Sequence, residues 1–90
     1  MFAVVVKVEL PEGATLEQGR AQLEANVVPQ VKASPGFVAG YWLAPRSDRE
    51  GMSFVLFSDE HSAKQAAAMV KPPPPVKLLS VEVREVAVSV

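Results

Sequence analysis

Ser34-Pro35-Gly36-Phe37-Val38-Ala39-Gly40-Tyr41-Trp42 decides how the chain is read. Pro35-Gly36 is a breaker pair and ends whatever precedes it. From Phe37 to Ala44 the residues are extended formers, rich in aromatics, and predict a strand. Alternation places Phe37, Ala39, Tyr41 and Leu43 on one face, with Val38, Gly40, Trp42 and Ala44 on the other. Gly40 within the strand suggests a bulge or a close approach of another group to the backbone.

Downstream, Pro45 to Gly51 is a polar hairpin loop, and Met52 to Phe57 is the next strand, antiparallel to the first. Met52, Phe54 and Leu56 share one of its faces, Ser53, Val55 and Phe57 the other. Ser58-Asp59-Glu60-His61 starts a helix, with Ser58 or Asp59 as cap and two acids suited to the positive end of its dipole. Its apolar face is Ala63, Ala66, Ala67 and Val70, shallow enough for close approach to a sheet. Lys71 and the run Pro72-Pro73-Pro74-Pro75 end it in a stiff extended crossover. Leu78 to Val90 then reads as a long strand whose alternation slips by one residue near Arg84-Glu85, the mark of a bulge or bend. The valines beyond the slip are apolar enough to reach a partner subunit.

Upstream, Phe2 to Leu10 is a valine-rich strand without Gly or Pro. Phe2, Val4, Val6, Val8 and Leu10 fall on one face; Ala3 and Val5 make the start of the other face apolar too, as in a central strand. Pro11-Glu12-Gly13 is a turn. Thr15 and Gln18 have capping-box spacing, and Leu16, Leu23, Val27 and Val31 recur at helical intervals. A regular helix is expected from Leu16 to Val28, with Pro29 giving a kink or a looser last turn to about Ala33.

Strand, helix, strand, strand, helix, strand is the order of a ferredoxin-like βαββαβ fold: α+β, a four-stranded antiparallel sheet with both helices on one face. Ninety residues make one domain, close to the lower limit for independent stability. The chain is 49% hydrophobic, more than so small a body can hide. Three strands carry apolar residues on both faces, so the face away from the helices is expected to be covered by a second copy, sheet against sheet.

A net charge of −1 with interspersed signs offers no basic stripe, which argues against nucleic acid. The absence of cysteine excludes disulfides and thiolate chemistry. Met1 to Lys7 has neither a basic flank nor the length of a signal or spanning segment, so the expected place is the cytoplasm and no membrane is expected as partner. There is no phosphate loop, dinucleotide fingerprint or metal-ligand cluster, so neither cofactor nor metal is expected.

With an apolar first strand, Val27-Val28-Pro29-Gln30-Val31, Pro35-Gly36-Phe37-Val38, Tyr41-Trp42 and a capped helix at Ser58-Asp59-Glu60, the whole chain resembles the dimeric α+β barrel superfamily, most of all its antibiotic-biosynthesis-monooxygenase-like branch. That resemblance implies paired sheets closing a barrel across a homodimer and a cavity between each sheet and its helices. It also implies either cofactor-independent oxidation of phenolic substrates or haem breakdown. The haem-degrading pattern of Asn, Trp and His does not carry over: Asn26 is on a helix, Trp42 on a strand and His61 in an exposed first turn.

The candidate ligand-binding residues are Tyr41, Trp42, Phe37, Phe54 and His61. Tyr41 and Trp42 point to opposite faces, so one meets the helix side and the other the dimer side; Tyr41, whose hydroxyl needs a partner if buried, is the better pocket candidate. Packing alone also explains both rings. His61, the only histidine, could do acid-base work, but a solvent-exposed start of a helix is the plainer account. Arg46 to Glu50 could hold an anion, though a solvated hairpin tip explains them more simply. No catalytic constellation emerges. The residues favour a non-catalytic module that binds a hydrophobic or aromatic small molecule or serves assembly, with a cofactor-independent monooxygenase acting on a small phenolic substrate as the alternative.

Overall fold

The structure is a computed structural model describing residues 1–90. The elements are β1 (Phe2–Glu9), α1 (Leu16–Gln22), a π-helical turn (Leu23–Val27), α2 (Val28–Lys32), β2 (Phe37–Leu43), β3 (Glu50–Phe57), α3 (Glu60–Ala68) and β4 (Lys77–Glu85). The strands form one antiparallel sheet in the order β2-β3-β1-β4, a ferredoxin-like α+β arrangement. No helix is long and apolar enough to cross a membrane.

β1 is central, as its valines on both faces require. Val4 pairs with Val55 on one side and Val83 on the other, and Val6 with Ser53 and Val81. Val4, Val55, Phe57 and Ala63 make the buried core, joined at its edge by Phe2, Val6, Phe37 and Trp42 from the sheet and by Val31, Ala66 and Ala67 from the helices. Both helical segments therefore lie on the face that carries Val4. Ala63 is completely buried, because alanine lets α3 sit down on the sheet. Truncating Phe57, 1% exposed, would remove about 3–5 kcal/mol.

The two helical segments are packed very differently. α3 buries Ser62 and Ala63, whereas α1, the π turn and α2 bury no residue at all. Regular α-helix ends at Gln22, earlier than the Val28 expected. Pro29 has no N–H for the carbonyl of Ala25, and its ring crowds that carbonyl. The helix responds one turn upstream by widening to π geometry, where the N–H of Val28 reaches the carbonyl of Leu23. Five residues of α2 follow, so Leu16 to Lys32 is a continuous but weakened helical arm.

Two bulges correct the register expected from alternation. Phe37 pairs with Phe57 but Ala39 with Leu56, leaving Val38 as the extra residue. Phe37 therefore leaves the face of Ala39, Tyr41 and Leu43 and joins the helix side. In β4, Ser80 pairs with Lys7 and Leu78 with Val8, leaving Leu79 unpaired. The expected slip at Arg84-Glu85 is instead the end of the sheet. β4 stops at Glu85 rather than Val90; the Val86 N–H still reaches the Met1 carbonyl at 2.9 Å, and Val88 and Val90 are exposed.

Candidate functional site

Between the helical arm and the sheet lies a cavity of about 1220 Å³. Its floor is the helix-side face of the sheet, including Val4, Val6, Val55 and Trp42; one wall is the arm, and another runs from Met69 through the four prolines to Val76. The cavity exists because the arm stands off. Leu16 is 49% exposed, and Leu23, Val27 and Val31 are only partly buried, although helical spacing turns them toward the sheet. Of its 38 lining residues 21 are hydrophobic, so the lining offers an apolar guest more greasy than polar contacts, on a side still open to solvent.

Trp42, the only tryptophan, is the aromatic with the clearest access to this space. Its six-membered ring lies over Gly40, two residues earlier on the same face: a Cβ built on Gly40 would stand 2.8 Å from two of its carbons. The glycine thus marks the close approach anticipated from the sequence, while the bulge is at Val38.

The other four candidates are elsewhere. Tyr41 is on the opposite face of the sheet and does not line the cavity, which reverses the preference for it over Trp42 as the pocket aromatic. It stacks on Phe54, its cross-strand partner, with ring centroids 5.1 Å apart and planes tilted by 30°. Phe37 packs at the edge of the core. His61 is exposed in the first turn of α3. The structure therefore brings Tyr41 and Phe54 together, but not with Trp42.

No Asp, His or Tyr lines the cavity. The polar groups on its wall include Gln18, Gln22, Gln30 and Ser53, with Arg20, Lys71 and Glu24 as its charges. No group of three or more His, Asp or Glu is placed to hold a metal ion. The two clearly shifted carboxylates are structural and lie off the cavity. Asp59, cap of α3, is held below the ordinary aspartate value first by the Ser62 backbone N–H, which donates at 2.7 Å, and then by the Ser62 hydroxyl. Asp48 is lowered chiefly by the Glu50 N–H at 3.1 Å, with help from Arg46. Arg46, raised above as an anion-binding candidate, is ion-paired within its own loop, 2.9 Å from Asp48 and 3.4 Å from Glu50.

Sequence reasoning named Trp42, which lines the cavity, and the resemblance implied a space between sheet and helices, but the looseness of the helical arm that opens it was not read. The signal was present in Gly19 and Pro29, which weaken the helix, and in its spare apolar side chains. No family model matches the chain, and no curated protein is significantly similar to it.

Proposed function

We propose that this protein is a non-catalytic binding module for a hydrophobic or aromatic small molecule, taken up between the sheet and the helical arm. The observation that carries this reading is the cavity of about 1220 Å³ with Trp42 on its wall and a mainly hydrophobic lining. The space suits a guest of drug size or larger. The oxygenase implied by the dimeric α+β barrel resemblance would need an ionisable group set against a phenolic substrate, and Tyr41 and His61 both stand away from the cavity. No oxygen uptake is expected with polycyclic phenols.

The module works as a homodimer, sheet to sheet. What supports this is the open face: Ala3, Val5, Tyr41, Met52, Phe54 and Leu56 form an apolar patch over β1, β2 and β3, with Tyr41 51% exposed, while Lys7, Ser80, Glu82 and Arg84 make the β4 side polar. A second copy is the occupant whose chemistry matches, because the same apolar patch would meet itself across a twofold axis.

Trp42 supplies the test. Titration with N-phenyl-1-naphthylamine, a neutral aromatic probe, should give saturable binding with energy transfer from Trp42. Fluorescence that rises without saturation, or without transfer from Trp42, would overturn the binding reading. Light scattering tests assembly independently: a monomer at micromolar concentration would overturn the dimer.

A further inference from the structure

We infer that the cavity is built for an amphipathic organic anion, whose apolar body lies toward Trp42 and whose acidic head sits between Arg20 and Lys71. This rests on the binding reading above and specifies its ligand. Arg20 and Lys71 are the only cations on the cavity wall. They come from different elements, Arg20 from α1 and Lys71 from the segment after α3, on two walls of the same cavity. Glu9, at the end of β1, pairs with Lys77 on β4 and Glu50 on β3. The Pro11–Thr15 turn, the start of α1 and the last residues of the proline segment therefore gather at that end of the sheet, with Lys71 six residues before Lys77. Arg20 lies about one turn into α1.

Neither cation is spent elsewhere. The ion pairs of the chain are Arg46 with Asp48 and Glu50, and Lys64 with Glu60. The one acid on the wall, Glu24, follows Arg20 by four residues in the less favourable order for a helical pair, and the two are not within ion-pair distance. Two unpaired cations on the cavity wall, with Trp42 and aliphatic side chains over much of the rest, match a molecule with a carboxylate or sulfonate head and an aromatic or aliphatic body. Such a head gains charge-assisted hydrogen bonds from both residues, screened in part because both side chains are exposed.

Two probes with the same skeleton separate the contributions: neutral N-phenyl-1-naphthylamine and anionic 1-anilinonaphthalene-8-sulfonate. Each is titrated into the wild-type protein and into Arg20→Gln, Lys71→Gln and the double variant, with energy transfer from Trp42 as the readout. Both side chains are exposed, so the variants should fold normally, which circular dichroism verifies. Each single variant should weaken the sulfonate about threefold and the double variant about tenfold, with the neutral probe unchanged. Added salt should weaken only the sulfonate. Equal losses for both probes, or none for the sulfonate, would overturn the anionic subsite while leaving the binding module standing. Failure of the neutral probe to bind would overturn the module, and the subsite with it.

Discussion

Trp42 rests its six-membered ring on Gly40, with no room for even a methyl group between them. The pair sets the position of the main aromatic on the cavity floor. Gly40→Ala would place a Cβ 2.8 Å from the ring and push it toward the cavity. The expected outcome is a loss of about 1 kcal/mol in urea unfolding, the overpacking penalty less the better strand propensity of alanine. A shift in Trp42 emission and weaker binding of the neutral probe should accompany it. Unchanged emission would show that the ring does not rest there.

Gly36 meets a double constraint. Its φ of +78° lies in the left-handed region, and a Cβ there would stand 2.6 Å from the Ser62 hydroxyl oxygen and 2.7 Å from its Cβ. The Gly36 carbonyl also accepts from the Ser58 N–H at 2.8 Å, tying the turn before β2 to the start of α3. Gly36→Ala should cost about 2–3 kcal/mol, combining backbone strain with the clash. Adding Ser62→Gly should recover the clash but not the strain, leaving the double variant more stable than additivity predicts. Denaturant midpoints for the four proteins measure the coupling.

Acid should loosen α3. The Asp59 carboxylate is favoured in the folded state by the Ser62 N–H, so its folded pKa lies below the unfolded value. Its contribution to stability is then complete above the unfolded value of about 3.9 and is lost as pH falls through the lower folded value. Asp48 contributes with the same sign. Thermal midpoints should be flat from about pH 7 to 5 and decline below about pH 4. Asp59→Asn, which retains a capping carbonyl, should flatten part of that decline.

The helical arm should be the least protected helical segment. Amides from Leu16 to Lys32 have no buried side chain over them, whereas α3 is anchored by Ser62 and Ala63. Hydrogen exchange in the arm should be faster than in α3 by about an order of magnitude or more. A saturating apolar probe should slow it. Pro29→Ala should restore the missing donor and raise helicity by circular dichroism. Equal protection of arm and α3 would show that the arm is packed down in solution.

Residue patterns alone determined the order of elements. Thr15 does accept from the Gln18 N–H, at 3.2 Å, and Asp59 caps α3, because short polar side chains satisfy helix-start amides locally. Pro35-Gly36 does turn the chain, and the valines of β1 do make it central, since only paired neighbours and covered faces suit such a strand. Tertiary structure decided what period-two alternation leaves symmetric. Alternation separates Tyr41 from Trp42 but says nothing of which face receives the helices; the crossovers choose, and they put Trp42 with Val4 and Phe57. Nor does it locate a bulge, because Val38 and Leu79 are extra only with respect to strands far away in sequence. The size and lining of the cavity belong to this second kind of information, for they depend on how far an arm weakened at Gly19 and Pro29 stands from the sheet.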